Sequence, residues 1–481
     1  MPLKVDGDPG YGSVAGGPGP ALSGSLGGSE TVPLLIPEAE PEQRTSWGPL
    51  TKEELELAAG GPWWRKLRSR LVLLFWLGWL AMLCTAIALI VQSPRPIAPP
   101  LQWWQKALFY RLQPALLLDS ESGGVGGIDG VRDRLPYLQT LGVGAIILED
   151  MFPQDLPPSG LMQLNTTLGT LTQFQQLVTE GQSAGVRILM DLCHLRLLDS
   201  TEQPGLVQKA LQFWLEQGVA GFGICDTDVA YSEEILLEWR TLVKEFYKED
   251  DERIVVVRQM GQAAPPHNDS SSASSLVELV TRSLLPSSPH PLSVQEVATT
   301  VETVLVMPQG KWPSWTVGGV VSWELQRILM VLTMTLPGTP VINYGDEISQ
   351  SQVSKLRSVL GLFHSLSHTR SREEALLFGN FTHLPFNTSL DVFTNSSSAT
   401  SPSPPLLAFL RSWGCVHFLV LLNLGPEPRP LDPGWAPSLP EGGVYVTSTG
   451  LDRVGSLSLE TLTLQPQEAI VIKLFEAGSY S

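Results

Sequence analysis

The stretch "GVAGFGICDTD", Gly218 to Asp228, decides the fold. A glycine-aromatic entry leads into a short apolar run that ends on a side chain able to do chemistry. This is how a strand of a parallel β/α barrel delivers a group to the C-terminal mouth. The delivered residue is Cys225, with Asp226 one step later. Successive side chains on a strand point to opposite faces, so Asp226 is expected to turn away from the mouth that Cys225 faces.

The neighbouring sequence repeats the pattern. "GAIIL" (144–148), "VRILMDL" (186–192) and "RIVVV" (253–257) read as further buried strands. Amphipathic stretches such as "VQKALQFWLEQG" separate them, and this alternation argues for a parallel α/β architecture. After about Phe378 the pattern changes to short alternating strands, "HFLVLLNL", "GVYVTS" and "EAIVIKL", broken by Pro and Gly. These predict a separate antiparallel β domain over 379–481, following a barrel over 103–378.

Upstream, "LVLLFWLGWLAMLCTAIALIV" (Leu71 to Val91) carries no charge. At a rise of about 1.5 Å per residue, its length matches a hydrocarbon core of about 30 Å, so it reads as a transmembrane helix. It begins too far into the chain, and is too long, for a signal peptide. Arg65, Lys66, Arg68 and Arg70 crowd its N-terminal flank against Arg95 beyond it. The positive-inside bias then predicts a cytosolic N-terminus and a type II, single-pass protein. The sequons at Asn165, Asn268, Asn380, Asn387 and Asn395 all lie beyond this helix. That one-sided distribution agrees with an extracellular C-terminal part. Within the helix, Gly78, Ala81, Thr85 and Ala88 recur at spacings of three and four, a small-residue stripe where a partner helix can approach.

In the cytosolic part, 1–70, residues 1 to about 47 are rich in Gly, Pro and Ser with little to bury, which predicts disorder. The exception is a short helix near 51–59, where Thr51 and Glu54 form a capping box before Gly60, Gly61 and Pro62 stop it. A linker follows the membrane helix over 92–102. The chain of 481 residues carries a formal charge of −17, which argues against nucleic acid because such binding depends on neutralising phosphates. Its four cysteines, Cys84, Cys193, Cys225 and Cys415, show neither metal-ligand spacing nor a disulfide framework. They read as buried, inert thiols, and no metal or cofactor is expected.

"WWQKALFYRL" (103–112), "GGIDGVRDRLPYLQTLGVGAIIL" (126–148), "LGTLTQFQQLV" (168–178), "GVRILMDL" and above all "TLPGTPVINYGDEI" (335–348) resemble the α-amylase superfamily of glycoside hydrolases. The resemblance implies a (β/α)8 TIM-type barrel followed by a C-terminal antiparallel β-sandwich, with catalytic groups at the ends of strands three, four, five and seven. Each end departs from the family pattern. Asp191 is kept at strand three, but Leu195 and Arg196 stand where Asn and His belong. Gly-Phe-Arg-x-Asp at strand four reads Gly221-Phe222-Gly223-Ile224-Cys225. Arg258 stands at the acid/base position of strand five, and the His-Asp pair of strand seven is replaced by Val320 and Val321. Retaining hydrolysis needs two carboxyls about 5 Å apart, so no catalytic residue is expected. Cys225, Arg258 and Val321 mark the degenerate positions.

A membrane helix before an amylase-like domain resembles the heavy chains of the heteromeric amino-acid transporters, and so does "LTKEELELAAGGPWWRKLRSRLVLLFWLGWLAML". This implies a non-catalytic ancillary subunit that carries a polytopic light subunit to the plasma membrane. A cysteine that bridges to the light subunit in that family is replaced here by Pro96. The elimination of Cys84, Cys193, Cys225 and Cys415 as substitutes predicts a noncovalent heterodimer. A type II membrane α-glucosidase and an adhesion scaffold acting with integrin-like receptors stay open as alternatives.

Overall fold

The computed structural model describes residues 51–92, 98–117, 126–153, 158–193, 204–246, 251–260, 272–305, 312–347, 353–384, 406–431 and 439–474. It divides into two compact units, Met1–Ser93 and Pro94–Ser481.

In the first unit, a helix spans Lys52–Ala59, where the Thr51 amide donates to Glu54 Oε2 at 3.1 Å, as the capping box requires. A second helix spans Pro62–Gln92. It starts nine residues before the expected apolar run because Pro62 suits a first helical position, so the helix continues through the basic flank. It is long and apolar enough to cross a membrane, and none of its most apolar window is buried.

The second unit begins with eight parallel strands: β1 (Leu108–Leu112), β2 (Val143–Leu148), β3 (Arg187–Asp191), β4 (Gly221–Cys225), β5 (Ile254–Arg258), β6 (Leu279–Ser283), β7 (Pro313–Thr316) and β8 (Thr339–Asn343). They pair in chain order, and β1 pairs with β8 to close the barrel. Phe109, Ala145, Ile147, Leu189, Ile254, Val256 and Val341 pack together in the interior. Their alternates, such as Tyr110, Ile146, Met190, Phe222 and Val257, belong to the larger core shared with the surrounding helices. Gly221 belongs to this packing: a Cβ there would meet Ile254 O at 2.2 Å, so only glycine lets β4 lie this close to β5.

The C-terminal strands are β9 (Asn380–Leu384), β10 (Leu406–Trp413), β11 (Val416–Asn423), β12 (Arg429–Pro430), β13 (Gly442–Ser448), β14 (Ser456–Ser458), β15 (Thr463–Leu464) and β16 (Glu468–Leu474). They form a six-stranded antiparallel sheet in the order β14-β13-β16-β11-β10-β9, and a two-stranded sheet of β12 and β15. One face of the large sheet, including Phe409, Phe418, Val420 and Val471, continues the barrel's hydrophobic core. Leu419, Leu421, Ile470 and Ile472 on the other face pack with Leu462 and Leu464.

Two buried arginines tie these parts together. Arg411 on β10 donates to Thr335 O at 2.7 Å and Gly379 O at 3.1 Å. Arg370 donates to Met334 O at 2.9 Å and to Leu376 O at 3.2 Å. The carbonyls left open at the end of the helix Trp323–Thr335 are satisfied in this way.

Candidate functional site

The period of two that sends Phe109, Ile147, Leu189 and Val256 into the barrel also aims the next alternate residues into its C-terminal mouth. These are Arg111, Glu149, Asp191 and Arg258, and they join in one chain of charges. Arg111 Nε lies 3.3 Å from Glu149 Oε1, and Arg258 Nη1 lies 3.1 Å from the same oxygen. Arg258 Nη2 reaches Asp191 Oδ2 at 2.7 Å. Two acids and two bases leave the cluster neutral. Burial raises the Glu149 pKa and lowers that of Arg111, while the opposite charges pull each back toward its ordinary range.

Gly223 makes room for this arrangement. A Cβ there would sit 2.8 Å from Asp191 Oδ1. The position where the superfamily pattern has arginine is thus held empty, and Arg258, one strand over, supplies the guanidinium that meets Asp191. The register pairs Cys225 with Arg258 across β4 and β5, so both degenerate positions lie side by side at the mouth. Asp226 falls in the turn just after β4, beyond the reach of strand alternation, and its Oδ1 accepts from the Met260 amide at 2.9 Å.

The reading of the cysteines as inert thiols is corrected. Cys193 and Cys225 form a disulfide, with Cα atoms 4.9 Å apart, from just beyond the end of β3 to the end of β4. The sequence spacing between them matches no motif; the parallel pairing of β3 with β4 brings them together. Cys193, Cys225 and Asp228 are the one cluster of metal-ligating residue types among the described residues, and two of its three groups are the bonded sulfurs. The Asp228 carboxylate accepts from the Cys225 amide at 2.7 Å. Cys415 is also corrected: it is exposed, in the two-residue turn between β10 and β11 that Gly414 closes with a φ of 56°. Cys84 is exposed on the apolar helix.

After β7 the chain turns through Gly318 and Gly319, with φ of 62° and 53°. Val321 is half-buried and packs against the core. This segment walls a cavity of about 320 Å³ together with Asn343 and Asp346.

Of the expected glycosylation positions, Asn165 is half-buried, with its Oδ1 accepting from the Thr167 hydroxyl at 2.7 Å. Asn380 is exposed on β9, an edge strand. Asn268, Asn387 and Asn395 lie outside the described residues, as do Pro96, Leu195 and Arg196. Gly78, Ala81, Thr85 and Ala88 are all exposed, and the Thr85 hydroxyl is occupied by Met82 O at 2.8 Å. The stripe and the barrel mouth lie in different units, and only the mouth's residues come together.

Residues 36–110 match the family model described as the solute carrier family 3 member 2 N-terminus, and residues 112–195 match the α-amylase catalytic domain. The chain is 29% identical to the amino acid transporter heavy chain SLC3A2 of Oryctolagus cuniculus, over 94% of this chain and 92% of that one. With the Mus musculus protein of the same name it shares 28%, over 94% of each. The human amino acid transporter heavy chain SLC3A1 is 21% identical over 58% of this chain and 59% of its own. Among solved structures, AmyP in complex with maltose superposes with a TM-score of 0.58 at 12% identity, covering 78% of this chain and 98% of that one. A trehalulose synthase gives 0.56 at 14% identity, covering 78% and 100%. Along nearly its whole length, therefore, the chain is similar to the amino acid transporter heavy chains, and its barrel has the α-amylase fold.

Proposed function

We propose that the chain is a non-catalytic ancillary subunit, which associates with a polytopic light subunit, brings it to the plasma membrane and stabilises it there while the light subunit conducts amino acids. The observation that carries this reading is the two-way coverage with relatives named as transporter heavy chains: 94% of this chain and 92% of the rabbit protein. Similarity of that extent takes in the apolar helix as well as the barrel, so it is not a similarity of fold alone.

The barrel mouth supports the non-catalytic part. Retaining glycoside hydrolysis needs a carboxylate nucleophile and a second carboxyl as general acid. Cys225 ends β4 with its sulfur bonded to Cys193, and Arg258 ends β5. Two acids at the mouth, Glu149 and Asp191, are both engaged by Arg258. Purified protein offered α-glucosides is expected to release no glucose, and Cys225→Asp to restore none.

The helix Pro62–Gln92 crosses the membrane once, with the N-terminus cytosolic because Arg65, Lys66, Arg68 and Arg70 flank that side. The barrel and β domain are extracellular and carry the sequon glycans. The heterodimer is noncovalent, Pro96 standing where a bridging cysteine would be. On a nonreducing gel the chain runs at its own glycosylated mass. A reductant-sensitive band at the summed mass that disappears in Cys415→Ser would overturn this and assign the bridge to that exposed thiol.

Affinity purification of the full-length chain in mild detergent, with partners identified by mass, tests the assignment. A polytopic amino-acid carrier in near-equal amount is expected. Recovery of adhesion receptors without any carrier would reject it.

A further inference from the structure

We propose that the cavity between the ends of β7 and β8 binds a small organic cation, an ammonium group on a short carbon chain, with Asp346 as its counter-charge. The site is built by two features. Gly318 and Gly319 both adopt left-handed backbone, which folds segment 317–321 back over the exit of β6. A Cβ at Gly318 would meet Leu285 O at 2.8 Å, and one at Gly319 would meet Pro286 O at 2.8 Å. Pressed against β6 in this way, the segment forms one wall of a cavity of about 320 Å³, within the usual range for small-molecule pockets.

The rest of the lining, Gln326, Asn343 and Asp346, is polar. Asp346 Oδ1 accepts from Gln326 Nε2 at 3.1 Å, and its Oδ2 accepts from the Asn343 amide at 3.1 Å and from Asn343 Nδ2 at 3.2 Å. Asn343 Nδ2 lies within 3.4 Å of Thr316 Oγ1 as well, which fixes the carboxamide between the two strands. All three donors to Asp346 are neutral, and among the described residues no lysine, arginine or histidine forms an ion pair with it. Burial raises its pKa, and only hydrogen bonds from neutral groups oppose that rise. A half-buried carboxylate on a cavity wall, held by neutral donors, is a charge whose burial is incompletely offset.

The lining separates an organic cation from the other candidates. A divalent metal of the calcium type takes six to eight oxygen ligands, far more than one carboxylate and two carboxamides supply. The apolar sides of Val317, Val320 and Val321 give a carbon chain a surface to cover, and Val320 is half exposed at the rim. The site does not depend on the proposed subunit role, since it uses residues of this chain only.

Isothermal titration of the full-length protein in detergent with n-butylammonium, and with 1-butanol as the uncharged control, tests the proposal. Saturable binding of one butylammonium per chain is expected, with none of butanol. Asp346→Asn, which removes the charge and keeps one oxygen to accept from the Asn343 donors, should weaken it at least about tenfold. Val320→Trp, a rim change at an exposed residue, should block it without touching the carboxylate. Absence of saturable butylammonium binding, equal binding by Asp346→Asn, or binding of maltose or calcium instead of the ammonium probe would overturn it.

Discussion

Arg258 Nη2 lies 2.7 Å from Asp191 Oδ2, so the end of β5 is joined to the end of β3 across the space that β4 leaves at Gly223. The pair is sheltered, Asp191 being 8% exposed. Removing one partner of such a pair strands the other charge, at a cost of about 3 kcal/mol. Arg258→Met is therefore expected to lower stability by about that amount, measured by denaturant unfolding. Gly223→Ala should also destabilise, by pushing a methyl into Asp191. Stability unchanged in both variants would show that the charge chain does not help hold the mouth.

The disulfide Cys193–Cys225 closes a loop with a sequence separation of 32. Chain-entropy arguments give such a crosslink about 3 to 4 kcal/mol. The double variant Cys193→Ala with Cys225→Ala should unfold at correspondingly lower denaturant, and reductant should destabilise the wild type but not the variant. Free thiols titrating at both positions in the untreated folded protein would contradict the pairing.

Burial raises the Glu347 pKa, although its Oε1 accepts from the Tyr110 hydroxyl at 2.5 Å and its Oε2 from the Gly345 amide at 3.1 Å. Between the ordinary glutamate value and the raised one, the folded chain holds a proton that the unfolded chain has released. Stability contributed by this group is complete below the ordinary value and is lost as pH rises through the raised one. Thermal melts taken from about pH 4.5 upward should decline less steeply in Glu347→Gln than in wild type. Identical slopes would remove Glu347 as a source of the pH dependence.

The small-residue stripe predicts a directional effect on partner recovery. Gly78→Leu with Ala81→Leu should reduce copurification of a light subunit severalfold, because close helix approach needs small side chains there. Leu73→Ala should leave it unchanged. Equal losses from both changes would reject the stripe as the docking face.

The barrel was legible in the sequence because its strands are short apolar runs that end on polar residues, and β4 has the bounds its pattern suggested, Gly221–Cys225. Asp191, Cys225 and Arg258 could be placed at strand ends for the same reason. Their partners could not be read, because Arg258 meets Asp191 only through the lateral order β3-β4-β5 and the absence of a side chain at Gly223. The disulfide was hidden by the same cause, since nothing local in the sequence marks Cys193 and Cys225 as neighbours. Cys415 was misjudged because it abuts the buried strand β11, yet it falls in the turn before it, where the backbone reverses and its side chain is exposed. The cavity at Asp346 depends on where Gly318 and Gly319 fold back, a conformation that the letters "GG" permit without specifying.

The most direct test of the ancillary role is surface biotinylation of a polytopic amino-acid carrier in cells that lack a heavy chain of their own, with and without this protein. Coexpression is expected to raise the carrier at the plasma membrane severalfold. Carrier levels at the surface that do not respond to the protein, across the carriers tested, would contradict the account.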